Sequence, residues 1–230
     1  MKKVIIAASV AMALSAAAHA DSTTQLKVKG VLTNDACTPV LSNGGVVDFG
    51  TKYIDSLSST ADNQLGHKDL TLTINCPSAT KVAWDVIDNN QDTMTKITIK
   101  NASFDGNDAW STGSLFGAGK TANEVKIGAW SFAVDFNNVT ADSVTVPLIY
   151  NPALETNGSW FKVDNAPKAQ ASAWGSNNYT ASTATGNEPL AFNTAVFPLR
   201  VALAVKDTTT LAITDDTPIT GQATLSLVYL

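Results

Sequence analysis

The sequence is short of charge. Charged residues make up 15% of its 230 positions, against about 25% in an average soluble domain. It holds two histidines, two cysteines and a single arginine, Arg200. So small a set of nitrogen and sulfur ligands leaves no room for a Cys/His zinc site. Acidic residues outnumber basic ones: the formal net charge is -5 and the isoelectric point is near 4.9. That excludes a Lys/Arg-rich face for nucleic acid. No apolar run reaches 18 residues, so no transmembrane segment is expected. In place of charge stand Thr, Ser and Asn, which fill 64 positions. Apolar residues, at 44%, suffice for a packed core and argue against a disordered chain.

The first twenty residues read as an address. Met1-Lys2-Lys3 is a short basic start, Val4 to Leu14 is apolar apart from Ser9, and Ala18-His19-Ala20 is a small-x-small site. Together they form a secretory signal, residues 1–20, cut after Ala20. The mature chain is then a single domain of residues 21–230, with His67 as its only histidine. Export through an oxidising compartment predicts that Cys37 and Cys76 pair. Neither cysteine has a Cys-x-x-Cys spacing or a neighbouring histidine to make it a reactive thiol.

Period-2 alternation dominates the rest and predicts an all-β sandwich. Leu26, Val28, Gly30 and Leu32 share one parity, as do Leu70, Leu72 and Ile74, then Val82, Trp84 and Val86. Later runs hold Trp130, Phe132 and Val134, then Val201, Leu203 and Val205, and finally Ala223, Leu225, Leu227 and Tyr229. Turn signals such as Ser42-Asn43-Gly44-Gly45 separate them. Residues 151–193 alternate little and are read as an insertion before the last two strands. Trp160, Phe161, Trp174 and Tyr179 lie in it, either sealing it onto the sandwich or contacting a ligand.

Three motifs look chemical and fail. Ser114 to Thr121 nearly spells a phosphate loop, but Ser114 replaces its first glycine and no helix follows. Asp88-x-Asn90-x-Asp92 begins like a calcium loop, but Thr93 and Ile99 stand where Gly and Glu are required. His67 could serve a Ser–His–Asp arrangement, since Ser and Asp are plentiful, but beside Gly66 and Lys68 in a polar stretch it reads as a loop residue. No catalytic residue, metal site or cofactor is expected, and the chain is not read as an enzyme.

Four motifs in order carry a resemblance. They are Leu26-Lys-Val28-Lys-Gly30-Val-Leu32 running to Cys37, Val46-Val-Asp-Phe49-Gly50, Leu70-Thr-Leu72-Thr-Ile74-Asn-Cys76, and the closing Ala223-Thr-Leu225-Ser-Leu227-Val-Tyr229-Leu230. This resembles the fimbrial subunits, or pilins, of the bacterial chaperone–usher pathway. Cys37-Thr38-Pro39 followed by Asn43-Gly44-Gly45 and Asp48-Phe49-Gly50 is also similar to a group of exported fimbria-associated proteins of unestablished function.

The resemblance implies an immunoglobulin-like sandwich that lacks its last strand. A periplasmic chaperone lends a strand, and a neighbouring subunit's N-terminal extension later replaces it; an outer-membrane usher assembles the fibre at the cell surface. Strand addition of this kind draws affinity from backbone hydrogen bonds and specificity from alternate side chains. The expected groove edges are Leu26, Val28 and Leu32 on one side and Ala223, Leu225, Leu227 and Tyr229 on the other. Only the polar Asp21 to Gln25 precede Leu26, so the chain is expected to accept a strand but not to donate one, as a tip subunit would. The second reading is a self-complete exported sandwich that binds a host or surface glycan through its aromatics.

Overall fold

The computed structural model describes residues 26–30, 36–152, 159–165, 169–183 and 187–230. The chain divides into two units, Met1–Asn34 and Asp35–Leu230. In the first, Leu26 to Gly30 are exposed and belong to no strand. The expected opening strand Leu26–Leu32 is therefore absent at its described positions; Leu32, Ala18 and Ala20 lie outside the described residues.

Among the described residues, all the strands lie in the second unit. Numbered in chain order, one antiparallel sheet runs β1 (Thr38–Leu41), β2 (Asn63–Thr80), β11 (Phe192–Val205), β5 (Gly128–Val134) and β4 (Phe116–Gly117). The short β6 (Thr140–Ala141) also pairs with β11, and β7 (Val144–Thr145) with β6. The facing sheet runs β12 (Ala223–Tyr229), β3 (Val82–Asp88), β10 (Asn177–Ala181), β8 (Leu148–Pro152) and β9 (Phe161–Lys162). The molecule is an all-β sandwich, as the alternation predicts.

The alternation has a physical reading. In β2, Leu70, Leu72 and Ile74 are buried while Thr71 and Thr73 are half-exposed, so one face enters the core and the other meets water. Phe197, Leu199, Val201 and Leu203 of β11 join the same core. Trp84 of β3 lies at its centre, with ring centroids 5.1 Å from Tyr179, 5.6 Å from Phe197 and 6.1 Å from Phe132. Such offset and edge-on aromatic contacts add to the area they bury. Strand β5 is buried along its whole length, because a second cluster covers its outer face. There Ile97, Ile99 and Leu115 pack on Ala129, Ala202 and Ala204. At the start of β5, Gly128 approaches β11 so closely that a Cβ would stand 2.1 Å from the Ala204 carbonyl oxygen.

The disulfide forms between Cys37 and Cys76, with a Cα–Cα distance of 4.1 Å. It joins the residue before β1 to β2, whose ladder runs from Thr38 opposite Asn75 to Leu41 opposite Leu72.

Residues 151–193 are not an insertion laid on a finished sandwich. They supply β9 and β10, and β10 is an interior strand pairing with both β3 and β8. Its fully buried residues, Tyr179 to Ala181, are part of the core. The segment reads weakly because β10 is short and buried on both faces, so period-2 contrast disappears. Among the described residues, no helix is long and apolar enough to cross a membrane.

Candidate functional site

The last strand, β12, forms the end of its sheet. Its backbone pairs with β3 from Ala223 opposite Asp88 to Tyr229 opposite Val82, and among the described residues its other edge has no strand beside it. Across the groove runs the segment Val46 to Tyr53, which belongs to no strand among the described residues and turns at Gly50, whose φ is +66°. In it Val47 and Phe49 are half-buried and pack on the core, while Val46, Asp48 and Gly50 are exposed. Two facing stretches of backbone therefore carry unused donors and acceptors, with inward apolar side chains between them. Unpaired edges of this kind are templates for another strand.

Between these walls the core is open. One cavity of about 420 Å³ reaches Leu70, Val86, Trp130, Phe132 and Val201. A second, of about 610 Å³, continues it past Leu57, Leu65, Ile127, Val205 and Leu211. The two share Val47, Phe49, Leu203 and Ile219, so they form one groove. Leu70 and Trp130 keep 8% and 9% of their surface exposed, although both sit on paired strands at the centre of the sheet. A closed sandwich would cover them completely.

Both ends of the groove are pinned. At one end the Cys37 amide donates to the Tyr229 hydroxyl at 2.6 Å, beside the disulfide. At the other, the Thr208 amide donates to the Ser58 carbonyl at 3.0 Å and the Thr209 hydroxyl to the Ser59 carbonyl at 2.7 Å. The Asp207 side chain caps the single helical turn Thr208–Leu211 there. The lower part of the β12 wall, residues 213–222, is held from behind. The Thr220 amide donates to the Ala118 carbonyl, Asn89 to the Gln222 carbonyl, and the Asn90 side chain to the Thr220 carbonyl. Gly221 lies flat on the Trp130 indole, where a Cβ would stand 2.5 Å from Nε1. These contacts tie both walls to the body of the sandwich.

The charge at the rim is acidic. Asp48, Asp215 and Asp216 line the lower cavity together with one base, Lys52.

The expected site residues fall into separate groups. Ala223 and Leu225 line the groove, Leu227 packs on the same core, and Tyr229 closes its end. Leu26 and Val28 are exposed in the first unit and belong to no strand, while within the second unit residues 47–52, Ile54 and Leu57 line the groove. The motif Val46-Val-Asp-Phe49-Gly50 carried its signal, since it alternates, but its lack of any strand partner is visible only in three dimensions.

The four aromatics do not form one site. Tyr179 is fully buried against Trp84, and burial pushes its phenol far above the ordinary range. It cannot contact a ligand at the surface. Phe161 lies on β9 with its ring 5.8 Å from that of Tyr150. Trp160 is half-buried and Trp174 is exposed.

The weaker motifs find structural roles. Asp88 turns inward and accepts the Gly117 and Asn90 amides at 2.7 and 2.9 Å, and burial raises its carboxyl above the usual range. Asp108 pairs with Lys100 at 2.6 Å. The stretch from Ser114 leads into β4 with no helix after it. Among the described residues, no group of three or more His, Cys, Asp or Glu side chains could hold a metal ion.

Residues 26–131 match a family described as "Protein of unknown function (DUF1120)". The chain is 32% identical to a protein of Escherichia coli (strain K12) named "Uncharacterized protein YhcF", with 99% of this chain and 98% of that protein aligned. It is 33% identical to "Protein GltF" of the same organism, over 100% of this chain and 99% of that protein.

Proposed function

We propose that this chain, which belongs to the DUF1120 family, is an exported subunit of a surface fimbria, completed by a strand from another molecule. The observation that carries this reading is the groove. It is apolar at its floor and bordered by β12, at the end of its sheet, and by Val46–Tyr53, which belongs to no strand among the described residues. A chain leaving such a groove in water pays for exposed core and idle hydrogen-bonding groups. A periplasmic chaperone supplies the strand first, an outer-membrane usher directs the exchange, and a neighbouring subunit supplies it in the fibre.

The same reading reassigns Leu26, Val28 and Leu32 from acceptor to donor. They lie before the sandwich begins, and Leu26 and Val28 are 90% and 89% exposed. In Leu26-Lys-Val28-Lys-Gly30-Val-Leu32, Leu26, Val28 and Leu32 would project to one face of an extended strand, and Lys27, Lys29 and Val31 to the other. Apolar residues then meet the groove floor, and the lysines lie toward its acidic rim. A chain with both groove and donor is suited to the shaft of a fibre as well as its tip. The alternative, a self-complete exported sandwich, must leave the unpaired walls without a purpose.

The test appends residues 23–34 to the C-terminus through a short linker. Leu230 ends beside the pinned Tyr229 end of the groove, so an appended strand folds back along β12. The expected product is a soluble monomer that melts well above the unmodified chain and no longer associates. Placing Asp at Val28 of the appended strand should abolish the gain. If the unmodified mature chain is already a stable monomer, and the appended strand changes nothing, the proposal fails.

A further inference from the structure

A second recess lies apart from the groove and shares no lining residue with it. Two exposed indoles flank it: Trp110, 65% exposed, and Trp174, 54% exposed. Large rings left in water on a folded chain are informative where they gather at one recess with polar groups between them. Here both rings are presented by fixed backbone. Trp110 follows Ala109, which is fully buried and exchanges both backbone hydrogen bonds with Ile99 at 2.8 and 2.9 Å. Trp174 follows Ala173, also fully buried, whose amide donates to the Gly113 carbonyl at 2.8 Å and whose carbonyl accepts from Asp88 at 2.9 Å. Among the described residues, neither indole stacks on another aromatic ring of the chain. Each residue keeps more than half of its surface exposed.

The recess is about 330 Å³, at the small end of ligand pockets, which run from roughly 300 to 1,000 Å³. Between the rings its surface is hydroxyl and amide: Ser111, Ser172, Ser176, Gln170 and Asn177. Gln170 is buried and ties the two loops together, its Nε2 donating to the Asp108 carbonyl at 3.0 Å. Ser172 and Ser176 share a hydrogen bond of 2.6 Å. Among the described residues, the one charged group lining it is Asp108, and Lys100 pairs with it at 2.6 Å and holds its carboxyl below the usual range.

This composition selects a chemical class. Among the described residues, no unpaired base lines the recess to bind an anion. The one described acid is already paired, so a cation between the indoles gains little beyond the ring faces. Ser172 and Ser176 already bond each other, but a hydroxyl has more than one bonding position, and a wholly apolar ligand would take water from the remaining ones and return nothing. What fits is a molecule with an apolar C–H face and an uncharged hydroxyl edge. We infer that the Trp110–Trp174 recess binds a neutral sugar unit, its C–H face on an indole and its hydroxyls on the Ser, Asn and Gln groups between. The site is built from loops on the closed part of the sandwich, so it does not depend on the groove being filled.

The test titrates the mature chain with neutral methyl hexopyranosides and their disaccharides, with choline and an acidic sugar as comparisons. The five indole N–H resonances report binding. A neutral saccharide should shift the resonances of Trp110 and Trp174. Trp110→Ala and Trp174→Ala should each weaken it at least tenfold with melting unchanged, since both rings are exposed. Trp110→Phe and Trp174→Phe should retain part of the affinity, and Trp160→Ala all of it. The inference is overturned if no neutral saccharide binds, if choline or the acidic sugar binds instead, or if affinity survives loss of both rings. None of these outcomes depends on oligomeric state, so they are separable from failure of the strand-complementation reading.

Discussion

The Cys37–Cys76 bridge offers the most quantitative test of the scaffold. The two cysteines are 39 residues apart and both are buried, at 7% exposure each. Loop-closure entropy for a ring of that size is worth about 4 kcal/mol at 25 °C, present because the bridge restricts the unfolded chain. For a domain of this length each kcal/mol moves the melting midpoint by roughly 2–4 °C. Replacing both cysteines by Ala should therefore lower the midpoint by about 8–16 °C, followed by circular dichroism. Adding a strong reductant to the wild type should reproduce the shift. Serine at both positions should cost up to ~3 kcal/mol more, because two hydroxyls would enter a site that provides no partners for them. The bridge also holds the Cys37 amide against the Tyr229 hydroxyl, so its loss should speed exchange of that amide. A drop of less than about 3 °C in the Ala variant would refute the loop-entropy reasoning.

Two further outcomes follow from single side chains. Tyr179→Phe leaves the Gln170 carbonyl without its 3.1 Å donor and should cost about 1–2 kcal/mol; Tyr179→Ala opens a core cavity beside Trp84 and should cost ~3–5 kcal/mol in urea unfolding. Unchanged stability in the Ala variant would contradict its place in the core. Arg200 grips Asp69 through Nε and Nη2 at 2.7 and 2.9 Å and holds its carboxyl below the usual range. A lowered carboxyl stabilises above the unfolded value, and that stability is lost as pH falls through the folded one. Asp69→Asn should thus cost under ~1 kcal/mol at neutral pH, since Asp69 is half-exposed. The melting gap between variant and wild type should close in acid; a gap that widens there would be the contrary result.

The alternating runs made most of the sandwich legible. Leu70, Leu72 and Ile74, or Phe197, Leu199 and Val201, can bury one face only as strands, whatever they pack against. The cysteine pair was legible too, because two thiols in an oxidising space have only each other. Strand β10 was not, since an interior strand covered on both faces shows no contrast between neighbours. The groove was half legible: Ala223, Leu225 and Leu227 announced a strand, but nothing local states whether a strand has one partner or two.

The chain order alone determined which side chains share a face, where turns interrupt them, and that the cysteines would close one loop. Tertiary structure decided which edges stay empty. Leu26-Lys-Val28 and Val46-Val-Asp-Phe49 alternate alike, yet the first is exposed and belongs to no strand, while Val47 and Phe49 of the second line an open core. The same decision left Trp110 and Trp174 at one recess and sent Tyr179 to the centre. Periodicity is a property of neighbours along the chain, whereas a vacancy is defined by what fails to arrive from elsewhere in it.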